Sequence, residues 1–134
     1  MTTLTRNRRA NLGNEFQGQS KRVLCVCSAG MLRSPTAAWV LSNDPWNFNT
    51  RSCGTEDHAL VPLDLGLLLW ADEVVCMDSR QAKVVREMLD SDSTTRPVHV
   101  LNVPDNYNFR DPELVDLVKE KFSWVAWLNK ENAV

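Results

Sequence analysis

Val23-Leu24-Cys25-Val26-Cys27-Ser28-Ala29-Gly30-Met31-Leu32-Arg33-Ser34-Pro35-Thr36 decides the fold. Residues 23–27 are apolar and partly β-branched, and a short run of that kind reads as a buried strand. Ser28-Ala29-Gly30 interrupts it. Ser34 then supplies a capping side chain and Pro35 a first helical position with its φ already set, so Ala37, Ala38, Val40 and Leu41 continue a helix to about Asn43. The stretch is therefore strand, loop, helix.

The same alternation runs outward from it. Asn43-Asp44-Pro45 ends the helix, and Phe48 to Cys53 reads as a second strand closed by Gly54. Pro62 to Trp70 reads as a short helix, Glu73 to Met77 as a strand, Gln81 to Leu89 as a helix and Pro97 to Leu101 as a strand. Leu114, Leu117, Val118, Phe122, Val125 and Leu128 recur at intervals of three and four, which predicts an amphipathic C-terminal helix. Strands alternating with helices imply an α/β domain whose parallel sheet is covered on both faces. Residues 1–21 are polar, with only Leu4, Leu12 and Phe16 as sizeable anchors, and read as an N-terminal extension to a domain spanning 22–134.

A length of 134 residues suits a single domain. With 15 Lys and Arg against 17 Asp and Glu, the net charge of -2 argues against general affinity for nucleic acid or for an anionic membrane. The longest apolar run, Leu65 to Ala71, falls well short of the ~20 residues that a bilayer requires. No apolar core follows Arg6, Arg8 and Arg9, so the expected location is cytoplasmic. The four cysteines at 25, 27, 53 and 76 fit that compartment as unpaired thiols, three of them in apolar surroundings. Cys25-Val26-Cys27 lacks the two-residue spacer of zinc and redox pairs, and no metal is expected.

The chemistry lies in the loop. In open α/β sheets, ligands gather beyond the carboxyl ends of strands, where loop N–H groups and a helix N-terminus point at them. Residues 28–34 (Ser28, Ala29, Gly30, Met31, Leu32, Arg33, Ser34) are long enough to curl into an anion-binding nest, and Gly30 supplies backbone freedom for the curl. Arg33 brings a planar fork suited to phosphate oxygens. Cys27 stands at the base, where the surroundings that bind a dianion also favour a thiolate nucleophile. Ser34 is within reach to donate a hydrogen bond to that thiolate.

These residues resemble the low-molecular-weight protein tyrosine phosphatases. Val23 to Cys27, the five-residue loop and Arg33-Ser34-Pro35-Thr36-Ala37 look like that family's signature loop and first helix. Thr50-Arg51-Ser52-Cys53-Gly54-Thr55 is similar to its second-strand segment, Ala71 to Asp78 to its third strand, and Val103-Pro104-Asp105-Asn106-Tyr107 to its Asp-Pro-Tyr acid loop. The match runs from about Arg22 to Phe122 with order and spacing kept. It implies a single domain with a four-stranded parallel sheet, a phosphocysteine mechanism and no metal or other cofactor. By position, Cys27 becomes the nucleophile, Arg33 the phosphoryl-binding residue, Ser34 the orienter of the thiolate and Asp105 the general acid. The implied substrate is a phosphorylated protein or a small aryl phosphate, with Tyr107 placed to line the pocket mouth.

The chain departs from the family's pattern at Gly30, where Asn is common, and at Asn106, where Pro is usual. Asp111, before Pro112, rivals Asp105 as the acid, although its position suits a helix cap. Trp39, Trp70, Trp124 and Trp127 read as packing residues on helices, and His58 as a loop residue. Cys25 is a candidate for a reversible disulfide with Cys27 if the strand bends. Two other functions use the same loop. An arsenate reductase of this fold needs resolving thiols on a mobile segment, and a non-catalytic phosphate-binding module needs neither nucleophile nor acid.

Overall fold

A computed structural model describes residues 21–28, 33–56, 58–104, 111–125 and 127. The elements follow one another as β1 (Arg22–Cys27), α1 (Arg33–Leu41), β2 (Asn49–Gly54), α2 (Leu65–Trp70), β3 (Glu73–Cys76), α3 (Ser79–Ser91), β4 (Val98–Val100) and α4 (Pro112–Ser123). All four strands are parallel, in the order β2-β1-β3-β4. From β1 the chain moves first to one side and then to the other, so the carboxyl end of β1 is the point where the winding reverses. A ligand site is expected there for topological reasons.

Each face of the sheet carries its own core. Val23, Cys25 and Cys27 of β1 pack with Val75 under α1 and α4, contributed by Ala37, Leu41, Leu114, Val118 and Phe122. Leu24 and Val26 face the other way, with Cys53, Val74 and Cys76, against Leu67 and Leu68 of α2 and Ala82, Val85 and Leu89 of α3. Alternate residues of a strand point to opposite faces, and a sheet covered on both sides therefore needs apolar residues at nearly every position. That is why the run at 23–27 shows no polar alternation. Thr50, on the edge strand, is fully buried and donates from its hydroxyl to the carbonyl of Ala38 at 2.8 Å, which ties β2 to α1.

The C-terminal helix is shorter than the spacing of its apolar residues predicts. It ends at Ser123; Trp124 caps it, donating its N–H to the carbonyls of Lys121 and Phe122, and is largely exposed. Val125 lies past the helix and Leu128 outside the described residues. The chain turns so that Trp127, also off the helix, is buried edge-on to Phe48 and His99, with centroids 5.1 and 5.3 Å away. Burying an indole outweighs continuing the helical period. Beside it Lys21, which the sequence pattern assigns to the extension, is buried in an ion pair with Glu73, whose other oxygen meets His99 Nε2 at 2.8 Å. Residues 1–20 lie outside the described residues.

Candidate active site

Cys27 ends β1, and Arg33 and Ser34 open α1, so strand and helix deliver the three side chains to one place. Cys27 Sγ lies 3.1 Å from Ser34 Oγ, in a contact where either atom can be the donor. Ser34 Oγ is also 3.2 Å from the carbonyl of Cys53. The hydroxyl has one proton and two acceptors within reach: with a thiol it donates to Cys53 and accepts from sulfur, and with a thiolate it turns its proton to sulfur. Cys27 and Ser34 are both buried.

Arg33 is 2% exposed, and a charge this deep requires partners. Its Nη1 donates to the carbonyl of Val103 at 2.9 Å and to Asp78 Oδ2 at 3.2 Å. Asp78 caps α3, accepting from the Arg80 N–H at 2.9 Å and pairing with the Arg80 guanidinium at the same distance. Those bonds to Arg80, followed by the bonds from Arg33 and Gln81, hold the Asp78 carboxyl well below the usual carboxylate range against the opposing effect of partial burial. Gln81 completes a capping box by accepting from the Asp78 N–H at 2.7 Å, and its Nε2 donates to Ser28 Oγ at 3.0 Å.

The segment after β2 closes the other side. Thr55 N–H donates to the carbonyl of Cys27 at 3.0 Å and Glu56 N–H to that of Ser28 at 2.9 Å. Glu56 pairs with His58 at 2.8 Å on an open surface, in keeping with His58 as a loop residue.

Of the residues singled out from sequence, Cys27, Ser28, Arg33 and Ser34 are brought together. Ala29, Gly30, Met31, Leu32, Asp105 and Tyr107 lie outside the described residues. Asp111 has the structural role its position suggests: it caps α4, accepting from the Glu113 N–H at 3.0 Å, with Pro112 in the first turn. Trp39 and Trp70 are on helices as expected. Asp78, Gln81 and the Val103 carbonyl were missed. The signal for the first two was present, since Asp78-Ser79-Arg80-Gln81 directly after a strand has the spacing of a capping box at a carboxyl edge.

All four cysteines are free and buried. Cys25 shares a face with Cys27, but β1 pairs in register with β2 and β3, without the bend that a disulfide between alternate residues would need. Burial, with smaller contributions from neighbouring thiols, pushes the Cys25 and Cys53 thiols well up, and burial pushes Cys76 up to about 12. Among the described residues no three His, Cys, Asp or Glu side chains form a metal-holding group. No helix among them is long and apolar enough to cross a membrane.

Solved structures share this architecture: the fold is that of the low-molecular-weight protein tyrosine phosphatases. SP-PTP, a low-molecular-weight protein tyrosine phosphatase from Streptococcus pyogenes, superposes with a TM-score of 0.60 at 19% identity over 85% of this chain and 99% of its own. Wzb from Vibrio vulnificus, solved with benzylphosphonate, gives 0.61 at 16% identity, covering 78% and 97%. The YwlE arginine phosphatase from Geobacillus stearothermophilus gives 0.52 at 18%, covering 80% and 99%. No protein-family model and no curated protein matches the sequence.

Proposed function

We propose that this chain is a cysteine phosphatase that hydrolyses phosphotyrosine, on a protein or as a small aryl phosphate, through a phosphocysteine intermediate. The observation that carries the reading is the 3.1 Å contact of Cys27 Sγ with Ser34 Oγ beside a buried Arg33, at the carboxyl end of β1 where the winding reverses. In the first step Cys27 sulfur attacks phosphorus, the ester P–O bond breaks, and Asp105 gives its proton to the leaving phenolate. Ser34 turns its proton to the sulfur before attack, and Arg33 neutralises the equatorial oxygens on which phosphoryl-transfer charge gathers. In the second step water attacks the same phosphorus, Asp105 takes its proton, and the S–P bond breaks to release phosphate and restore the thiolate. Residues 28–34 supply the oxyanion nest, and Tyr107 lines its mouth. The chemistry needs neither metal nor other cofactor, and a thiolate nucleophile suits the reducing cytoplasm.

The reductase alternative is disfavoured by Cys53 and Cys76. Both lie in strands, fully buried on the sheet face opposite Cys27, and the only other cysteine is Cys25. A binding module would have no use for a hydroxyl poised on a buried thiol. The deciding experiment is turnover of p-nitrophenyl phosphate by the purified full chain without added metal, with phosphotyrosine and phosphoarginine peptides compared in parallel. Vanadate-sensitive turnover with preference for the aryl ester is expected. No turnover of any of the three would overturn the reading.

A further inference from the structure

Between Ser28 and Arg33 stand Ala29, Gly30, Met31 and Leu32. None of these side chains donates a hydrogen bond, and only the weak thioether of Met31 accepts one. A nest of backbone N–H groups works best when its shape is fixed before the anion arrives. These four side chains therefore offer little hydrogen bonding of their own, and the bonds made at Ser28 and Arg33 are where side chains can hold the site.

One turn of one helix holds both ends. Asp78, the cap of α3, bonds Arg33 Nη1 at 3.2 Å, and Gln81, three residues on, donates to Ser28 Oγ at 3.0 Å. Gln81 is 1% exposed, and both polar atoms of its amide are committed: Oε1 closes the capping box on the Asp78 N–H, and Nε2 reaches Ser28 across 53 positions of sequence. Burying an amide is favourable only when both ends are paired, so the rotamer of Gln81 is fixed by the helix cap and its amide donor is aimed at Ser28. The carbonyl of Ser28 is meanwhile held by the Glu56 N–H.

We propose that Gln81 is a positioning residue for the oxyanion site: it transfers the rigidity of the first turn of α3 to Ser28, the residue that follows Cys27, as Asp78 does to Arg33. The proposal rests on the reading of residues 27–34 as an oxyanion site and deepens it. Gln81 touches neither Cys27 nor substrate among the described contacts; it acts through Ser28.

The test is a double-mutant cycle on the full chain with Gln81→Ala, Ser28→Ala and the pair. Two quantities are read, vanadate affinity and the pH profile of Cys27 alkylation by iodoacetamide, with thermal midpoints measured alongside. Loss of one buried hydrogen bond should weaken vanadate binding about three- to tenfold in each single variant and displace the alkylation profile. The double variant should be no worse than the poorer single. Additive losses, or single variants that bind vanadate and alkylate like wild type, would overturn the proposal. If Gln81→Ala does not fold, Gln81→Met keeps the buried volume and takes its place. If neither folds, Ser28→Ala alone decides, and wild-type behaviour in it overturns the proposal. The phosphatase reading fails separately: a wild type without turnover of any phosphate ester removes that reading, while the alkylation cycle still decides the role of Gln81.

Discussion

Arg33 Nη1 donates to the carbonyl of Val103 at 2.9 Å, so the residue that ends the loop after Cys27 is bonded to the segment two positions before Asp105. In the proposed mechanism one guanidinium therefore has two roles, holding that segment and Asp78 through one nitrogen while its planar fork is to serve phosphoryl oxygens. An ammonium cannot divide itself in that way. Arg33→Lys should lower kcat/KM for p-nitrophenyl phosphate by about 10²-fold or more, with vanadate binding weakened as well. A rate constant equal to wild type would show that Arg33 has only a structural role.

Cys27→Ser should abolish turnover and phosphocysteine trapping while retaining vanadate or phosphate binding. The hydroxyl is a much poorer nucleophile at neutral pH, but Arg33, Ser34 and the loop backbone remain. Calorimetric titration beside a steady-state assay checks both halves. Wild-type turnover in the variant would remove Cys27 from the mechanism.

The other thiols should be silent. Cys25, Cys53 and Cys76 are fully buried, and burial raises all three, Cys76 to about 12, so none ionises near neutrality. Iodoacetamide at pH 7 should label Cys27 alone in the folded protein, and inorganic phosphate should slow that labelling. Peptide mapping that finds the label spread over the four cysteines at comparable rates would contradict this assignment of reactivity.

The fold and the heart of the site were legible because their signals are local. The run at 23–27 declares a two-faced strand, Ser34-Pro35 declares a helix start, and chain order puts Cys27 at the end of the strand and Arg33 at the start of the helix. Asp78 and Gln81 were not read because their partners lie 45 and 53 positions away, at distances set by the strand order and not by spacing. Val125 and Leu128 fall on the last helix by periodicity, which counts apolar residues without saying which surface they cover. The ion pair of Lys21 and Glu73 looks, in sequence, like two ordinary surface charges. Only the packing of Trp127 beside them shows that this end of the sheet is closed.

The bonds to Asp78 predict the direction in which the stability of the fold depends on pH. Its carboxyl is held below its ordinary value by the bonds from Arg80 first, and then by those from Arg33 and Gln81. A depressed carboxyl contributes stability that is present above the unfolded value of about 4 and lost as pH falls through the folded one. Asn caps a helix about as well as Asp, so Asp78→Asn removes the charge and leaves the cap. The thermal midpoint of Asp78→Asn should lie below wild type between about pH 6 and 8, and the gap should narrow steadily below about pH 4. A gap that is constant, or that widens in acid, would contradict the role given to the carboxylate.

The last prediction separates two aspartates, Asp105 and Asp111, on the same stretch of chain. Asp111 is a helix cap, its Oδ1 accepting from the Glu113 N–H at 3.0 Å while Pro112 follows it into the first turn of α4. Asp105 follows Val103-Pro104, and Val103 is fixed at both polar atoms of its backbone, its N–H donating to the carbonyl of Met77 at 2.8 Å and its own carbonyl accepting from Arg33. Pro104 restricts the chain between that anchor and the proposed acid. Asp105→Asn should therefore slow hydrolysis of phenyl or alkyl phosphates strongly, because those leaving groups depart only when protonated, and slow p-nitrophenyl phosphate much less, because its leaving group departs as an anion. The basic limb of its pH–rate profile should flatten. Asp111→Asn should leave both rates near wild type and cost about 1 kcal/mol or less of stability, since one good cap replaces another. Initial rates on a series of aryl phosphates of graded leaving-group acidity, measured for both variants, read the difference directly. If the leaving-group dependence steepens in Asp111→Asn and stays as in wild type in Asp105→Asn, the proton comes from Asp111, and the hydrogen bond of Arg33 to Val103 has no part in placing the acid.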